Sequence, residues 1–485
     1  MMYGFDMPLL AIAAILVPFA GTLLILVCPR PAGKWICIVA AALSLAATLF
    51  LGIEYAGGGM QDSTTTMAAL GQTALLGFTF DRVSVLLAPC FVGIGLLVSI
   101  YSVSYLNAGN KEHPDKPRRR FYAFMIAFIG AMAGVVYSST ILGQLVFFEI
   151  TGACSWALIG YYNTTSSRKA AMKALIITHI ASLGLYLAAG VLVLQTGTFE
   201  LSAIAQLGEG WKIFVLLAIL FAAWGKSAQL PFYMWLPSAM EAPTPVSAYL
   251  HGASMVKVGV CVFARALICA GSVPEVVGWV GVVGAIATLI FSFFMYLPQG
   301  DLKRLLAFST ISQLSYMFLA FSLSIFGSDL AFQGGIAHIF NHAFAKTLFF
   351  LVAGALAYTM GTRMLPKIRG LYKKMPLVAV AFGFGALAIA GVPPLNGFFS
   401  KFAIFAGGFE VAADNWILMV LVIVALVESV ACFAWFLKWM GSVIPGEPSE
   451  TVAQAQPLPK AMAGVFIVLM IMTICSSFIA AAWLG

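Results

Sequence analysis

Apolar runs of about 20 residues recur from one end of this chain to the other, each long enough to cross roughly 30 Å of hydrocarbon as a helix. The middle of a bilayer offers no water to backbone groups, so segments of this length must satisfy their own hydrogen bonds as helices. Barrel strands would be about half as long and would alternate in polarity. Of the 485 residues, 62% are hydrophobic and 9% are charged, with a mean hydropathy of +1.00. The fold class that follows is an all-α polytopic membrane protein.

Some fourteen spans can be drawn, at 8–28, 35–53, 84–105, 121–138, 141–162, 170–194, 212–231, 244–270, 275–297, 304–326, 332–360, 376–405, 415–440 and 460–483. The first is expected to be retained rather than cleaved. The segment before it carries Asp6 and no Lys or Arg, and no small-residue cleavage site follows. No soluble domain fits between spans, and the longest loops are 54–83, 106–120 and 441–459.

If the spans alternate, most of the basic residues fall on one side. These are Arg30, Lys34, Lys111, Lys116, Arg118, Arg119, Arg120, Arg168, Lys169, Lys303, Arg304, Arg363, Lys367, Arg369, Lys373, Lys374, Lys438 and Lys460. The other side holds only Arg82 and Lys212, with acids such as Asp62, Glu200 and Asp329. An excess of Lys and Arg in short loops marks the cytoplasmic face, so both termini are expected on the exterior or periplasmic side of a cell inner membrane. The same asymmetry accounts for the net charge of +8 without nucleic acid.

The eight cysteines are scattered with no C-x-x-C pair, which argues against an iron–sulfur cluster, a zinc site or a disulfide framework. No phosphate-binding glycine loop and no dinucleotide fingerprint is present either. The energy for any work must therefore come from outside this chain.

What remains inside the spans is unusual. Lys173, Lys226, Lys257, Arg265, Lys346 and Lys401 lie there, with Glu149, Glu428, His179, His251, His338 and His342. A charge at the centre of a membrane helix costs about 2.5–3.5 kcal/mol even on the lenient insertion scale, so such groups pair, face a wet cavity and act. For His179 and Arg265, near span ends, a snorkelling or helix–helix role is the plainer expectation.

Two spans are broken. Lys226 precedes Pro231, Pro237, Pro243 and Pro245; Pro393 and Pro394 interrupt the twelfth span shortly before Lys401. Proline removes a backbone donor, and irregular backbone at membrane depth is tolerated where it is buried or lines a cavity. Two such breaks five spans apart point to a pair of inverted five-helix units. The chain then divides into 1–120 (spans 1–3), 121–270 (spans 4–8), 275–440 (spans 9–13) and 441–485 (loop and span 14).

His338, His342 and Lys346 recur every four residues and so share one helical face. His251 stands six residues before Lys257 on the eighth span. Histidine titrates near neutral pH and burial favours neutral lysine, so alternating Lys and His can pass protons without a costly isolated charge. Glu149 is the expected partner of Lys226: charged together, and the lysine inclined to shed its proton when they part. A metal site on His338 and His342 is the weaker reading, because no carboxylate or cysteine nearby in sequence completes a ligand set.

The stretches "KSAQLPFYMWLPSAMEAPTPVSAYLHGASMVKVGV", "DLKRLLAFSTISQLSYM", "HIFNHAFAKTLFFLVAG" and "PPLNGFFSKFAIF" resemble the hallmarks of the proton-conducting antiporter-like subunits. That family is shared by respiratory complex I, membrane-bound NiFe hydrogenases and Mrp cation/proton antiporters, and the match runs from about residue 80 to 440. The resemblance implies proton-translocation positions at Glu149, in "FFEITGACSWALIGY", and at Lys226, His251, Lys257, His338, His342, Lys346 and Lys401. Lysine at 401 resembles the distal, L-type member.

Two departures stand out. Where the L-type pattern carries Arg and Asp on the sixth span, this chain reads "THIAS", with His179 and Ser182. The chain also stops at Gly485, without the L-type lateral helix, so a hydrogenase-type or Mrp-type assembly is expected rather than complex I proper. The leading expectation is a proton-translocating subunit of a redox-driven membrane complex, with no cofactor of its own. Its partners would be other membrane subunits and a peripheral module holding iron–sulfur clusters and, in a hydrogenase, NiFe. The alternative is an Mrp-type cation/proton antiporter subunit, exchanging protons for Na⁺ or K⁺, or the proton-coupled partner of a solute uptake complex. An inert scaffold does not explain the buried ionisable groups.

Overall fold

The structure is a computed structural model that describes residues 6–71, 73–114 and 119–485, apart from the side chain of Arg30. Lys116 and Arg118 of the basic face lie outside the described residues. Helices α1 (Met7–Val27), α2 (Gly33–Gly57), α3 (Arg82–Tyr105), α4 (Arg119–Tyr137), α5 (Ile141–Ile159), α6 (Thr165–Thr196) and α7 (Glu209–Lys226) follow in order. Then come α8 (Trp235–Ser238), α9 (Thr244–Gly252), α10 (Met255–Cys269), α11 (Glu275–Tyr296), α12 (Leu302–Ser324) and α13 (Asp329–Met360). The chain closes with α14 (Leu371–Lys374), α15 (Pro376–Ala390), α16 (Asn396–Ala412), α17 (Trp416–Val443), α18 (Glu450–Ala453) and α19 (Lys460–Leu484).

Among the described residues, twelve helical runs have the length and apolarity to cross a membrane, with α9 and α10 counted as one run, Thr244–Cys269. The protein is therefore a multi-pass membrane protein. Helix α7 carries Glu209, Lys212 and Lys226, and α15 and α16 are two short halves, so neither is among the twelve.

In a bilayer the most apolar helices can face lipid while those carrying polar side chains are enclosed. So it is here: α12 and α13, with lower mean hydropathy, are almost wholly buried, whereas the more apolar α1, α2, α17 and α19 turn Leu9, Val27, Val39, Val427 and Phe478 outward. Helix α13 packs against α3, α9, α12, α15, α16 and α19, which makes it the axle of the bundle. Ser328 starts it, accepting a hydrogen bond from the Ala331 N–H, and Gly361 ends it at φ +74°, a conformation natural to glycine.

Both broken helices rest on glycine contacts. A Cβ at Gly397 would fall 1.8 Å from the Ala388 carbonyl oxygen, so α15 and α16 overlap only because residue 397 has no side chain. A Cβ at Gly225 would fall 1.9 Å from the Ala181 Cβ, so α7 rides directly on α6. A third interruption, at Ala253 and Ser254, separates α9 from α10. His251 and Lys257 thus stand on two helix segments, where hydropathy alone suggests one unbroken span.

The 54–83 loop is not wholly irregular. Strands β1 (Ser63–Leu70) and β2 (Thr73–Phe80) form an antiparallel hairpin, Ser63 opposite Phe80 and Leu70 opposite Thr73. Threonines 64–66 favour extended backbone, and β2 buries Phe78 and Phe80 against the helices. The all-helical reading therefore holds for the membrane region and gains this one small sheet. Next to it, Asp81 caps α3 through the Ser84 N–H and pairs with Arg265. Arg265 is no snorkelling tip: it is buried in this ion pair. Burial raises the Asp81 carboxyl, and the adjacent guanidinium more than reverses this and holds it below the usual range.

Removing one partner of a buried ion pair strands the other. Arg265→Met is expected to destabilise the fold by about 3–5 kcal/mol, read as an earlier thermal unfolding of the detergent-solubilised protein near neutral pH. Because the folded carboxyl titrates low, the difference from the unsubstituted protein should shrink as pH falls below about 4.

Candidate functional site: a buried charge-bearing axis

Lys226, His251, Lys257, His338, His342, Lys346 and Lys401 lie buried in the interior of the bundle. Lys226, at the C-terminal end of α7, is buried and donates to the Phe148 carbonyl on α5 at 2.9 Å, with its ammonium 4.5 Å from the Phe148 ring centre. Gly152, one turn on, leaves the space this ammonium fills, since a Cβ there would lie 2.9 Å from Nζ. Glu149 is near enough for its charge to act on Lys226 but makes no direct ion pair with it. It meets His179 of α6 instead, Oε2 to Nδ1 at 3.2 Å, at the partly exposed edge of the bundle. The expected Glu149–Lys226 pair is thus a Phe148-seated lysine beside a Glu149–His179 pair. His179, for which its place near a span end suggests a packing role, joins the set.

The centre is drier. Lys257 on α10 hydrogen-bonds His342 on α13, Nζ to Nδ1, at 2.9 Å, and touches the Met317 sulfur at 3.5 Å. His251 on α9 meets the Thr310 hydroxyl at 3.2 Å, and its ring lies 4.5 Å from that of Phe350. His338 is held at both nitrogens, by Ser400 at 2.9 Å and by Gln313 at 3.1 Å, with its ring 5.9 Å from that of His342. Lys346 donates to Ser309 at 2.9 Å. The three ladder residues share one helix, yet each reaches a different neighbour: α16 and α12 for His338, α10 for His342, α12 for Lys346.

At the far end, Lys401 on α16 caps the broken helix by donating to the Ile389 carbonyl at 3.2 Å, and donates to Ser429 at 3.1 Å. Its ammonium stands 4.8 Å from the Tyr316 ring centre. Beyond it lies Glu428.

The polar partners come largely from one helix to which the sequence pattern assigns no site residue. The α12 stretch "STISQLSY", residues 309–316, sends Ser309 to Lys346, Thr310 to His251, Gln313 to His338, Ser315 to Gln229 at 2.8 Å, and Ser312 and Tyr316 to Glu428. Six hydroxyl or amide residues in eight positions of a buried helix were the available signal. Lys303, at the start of α12, falls in a basic loop by its position along the chain. It is buried, donating to the Met240 and Ala242 carbonyls at 2.8 and 2.7 Å beneath a cleft lined by Glu112, His113, Glu241 and Arg363. Lys212 likewise turns inward, to the carbonyls of Ala205, Ala270 and Ser272. Lys173 stays at the surface by Ser238. His251 Nε2, His342 Nε2 and Gln313 Nε2 are buried without a protein partner, as polar groups are where water completes a network.

A many-helix membrane bundle with two broken helices and a lysine–histidine line through its middle has the build of an ion-translocating membrane protein. Residues 138–427 match the family described as NADH:quinone oxidoreductase/Mrp antiporter, TM, and the chain belongs to that family. It is 35% identical over 447 residues to the probable K(+)/H(+) antiporter A/B subunit of Rhizobium meliloti (strain 1021), covering 90% of this chain and 43% of that protein. It is 37% identical over 363 residues to the L subunit of NADH-quinone oxidoreductase from Campylobacter jejuni, covering 74% of this chain and 59% of that one. The fold superposes on a chain of the Mrp complex from Dietzia sp. DQ12-45-1b with a TM-score of 0.85 and 26% identity, over 98% of this chain and 51% of that chain. The chain spans about half the length of the curated relatives it matches.

Gly152→Ala is expected to push the Lys226 ammonium off the Phe148 carbonyl without unfolding α5, because the crowded atom is the tip of a flexible side chain. Ion transport in reconstituted vesicles should slow several-fold while the protein assembles and melts as before.

Proposed function

We propose that this chain carries protons across the membrane along the line Glu149/His179, Lys226, Lys257, His342, His338 and Lys401, with His251 and Lys346 flanking its centre. The observation that carries this reading is the buried 2.9 Å contact between Lys257 and His342, which joins α10 to α13. A lysine and a histidine in that contact hold one proton between them; a second positive charge would be expelled toward a neighbour. Each neighbour is itself a lysine or histidine seated on hydroxyls or carbonyls that stabilise an ammonium without fixing it as a carboxylate would. Protons therefore shift stepwise, and each step against 100 mV requires about 2.3 kcal/mol from outside the chain.

In this proposal the chain crosses the membrane fourteen times, α7 and the α15–α16 pair being the further crossings. The units 121–270 and 275–440 are inverted repeats, and the basic loops face the cytoplasm with both termini outside. The cleft above Lys303 is the cytoplasmic approach to the axis. The drive comes from partner subunits. Redox drive, through a peripheral module with iron–sulfur clusters, is favoured by the 37% identity to the oxidoreductase L subunit. Exchange against Na⁺ or K⁺ is favoured by the alignment of 90% of this chain with part of a cation/proton antiporter. Genes for cluster-binding subunits beside this one decide for the first, and a run of small antiporter subunits for the second.

Lys226→Ala and Lys257→Ala should each abolish proton movement, followed by dye quenching in vesicles, while the assembled complex is recovered in normal yield. Normal pumping in either would reject the axis. His338→Ala removes both of its hydrogen bonds and should slow transport without stopping it; an unchanged rate would reduce this histidine to a packing residue.

A further inference from the structure

Glu428 has no place in the line drawn above, yet it is a buried carboxylate held by three side-chain hydroxyls. It lies near the middle of α17, on the face turned inward, while Val427 and Val430 on the same helix face out. Its Oε1 accepts from Tyr296 of α11 and Ser312 of α12, both at 3.0 Å, and its Oε2 accepts from Tyr316 of α12. Among the described residues no ion pair neutralises it, although Lys401 is near enough for the two charges to interact. Three hydroxyl donors suit a carboxylate anion.

The Tyr316 hydroxyl has a second acceptor, the Ala425 carbonyl at 2.9 Å. One hydroxyl proton cannot serve both at once. With Glu428 ionised, Tyr316 donates to it. With Glu428 protonated, the carboxylic acid donates to the tyrosine oxygen, and the tyrosine proton turns to Ala425. Every group is satisfied in either state, which a purely structural buried acid does not require.

A relay to Lys401 is also built. The Lys401 ammonium donates to Ser429 at 3.1 Å, and Ser429 reaches the Tyr316 hydroxyl. The Tyr316 ring lies under Lys401 and meets the His338 ring in a T-shaped arrangement, 6.4 Å between ring centres. Tyr316 is thus in touch with His338, Lys401 and Glu428 at once.

We propose that Glu428 is the terminal proton-holding group of the axis, receiving the proton that Lys401 gives up; the proposal rests on the proton-carrying reading above. The N–H bond of Lys401 breaks and Ser429 takes that proton. Ser429 passes its own to Tyr316, and Tyr316 passes its own to Glu428 Oε2. Each hydroxyl gains one proton and loses one, so the net change is neutral Lys401 and protonated Glu428. The acid then stands one helix from the outer surface of the bundle, poised to release the proton.

The test uses the intact complex in membrane vesicles, with transport and acid-minus-base infrared difference spectra measured side by side. The titratable groups facing Glu428 are Lys401 from α16, Tyr316 from α12, Tyr296 from α11 and Cys432 from its own helix, none of them a second carboxyl, so a protonated-carboxyl C=O band that disappears in Glu428→Gln belongs to Glu428. Glu428→Gln keeps an oxygen acceptor for Tyr296 and Ser312 and sets an amide N–H toward Tyr316, whose own proton can turn to Ala425; it should remove that band and cut transport by about a hundredfold or more, the typical cost of a lost acid–base group. Tyr316→Phe should keep the band and slow transport, which covers the case in which the glutamine variant fails to assemble. Transport at the unsubstituted rate in Glu428→Gln overturns the inference, as does lost transport with the band unchanged. Lys257→Ala run alongside separates the two ideas: if it still pumps, the axis itself is wrong, whereas if it is silent and Glu428→Gln pumps, only the role of Glu428 falls.

Discussion

An ammonium group in hydrocarbon must be solvated by the protein itself, and this requirement shapes the rest of the bundle. Lys226, Lys303 and Lys401 all meet it by donating to main-chain carbonyls: Phe148, in the middle of α5, for the first, and carbonyls left open where a helix stops or breaks for the others, Met240 and Ala242 for Lys303 and Ile389 for Lys401. Carbonyl and hydroxyl oxygens lower the cost of a buried cation without locking it into an ion pair. A carboxylate in direct contact would do the opposite, because breaking a buried pair costs several kcal/mol. The contrast lies within the same chain. Arg265 has its Asp81 beside it and serves stability, whereas the axial lysines have no such partner and remain free to change state.

Helix α12 makes this possible. A helix that sends hydroxyls and amides outward on all sides would be unstable facing lipid, but enclosed by α11, α13, α16 and α10 it serves as internal solvent. Several of its side chains do double duty: Thr310 donates back to the Leu306 carbonyl while meeting His251, and Ser315 serves both Ile311 and Gln229. Hydroxyls with two available geometries can reorient when a neighbour gains or loses a proton, so the helix follows the charge rather than opposing it.

Much of this was legible in the sequence. The length of the apolar runs demanded helices, and prolines 231 and 393 located the two breaks near their lysines. The spacing of His338, His342 and Lys346 put them on one helix face. What the sequence did not show was direction across the bundle. Periodicity says that three groups share a stripe, but not that His342 turns to α10 while His338 turns to α16. Likewise Glu149 and Lys226 are compatible by charge, and only packing shows that the Phe148 carbonyl takes the lysine and His179 the glutamate. The hairpin at 63–80 was hidden because neither strand is long or strongly patterned against a background of 62% hydrophobic residues. Lys212 and Lys303 were misplaced for a related reason. Loop charges are assigned by position along the chain, and a lysine stem at a helix end can turn inward to capped carbonyls as readily as outward to water.

The glycines decide how tightly these parts can be held. Gly397 lets the α15 and α16 halves overlap, which brings the Ile389 carbonyl within reach of Lys401; Gly225 presses α7 onto α6, and Gly152 makes room for the Lys226 ammonium. The carbonyl seats at the two ends of the axis therefore depend on side chains that are missing, not on side chains that are present. A chain built this way tolerates apolar exchange on its outward-facing helices, where Val427 and Phe478 are largely exposed, and resists even one added methyl group at the breaks. Close backbone packing at the breaks and freedom of the charged tips are two consequences of one arrangement: the backbone is fixed and, in the proposed function, the proton is the part that moves.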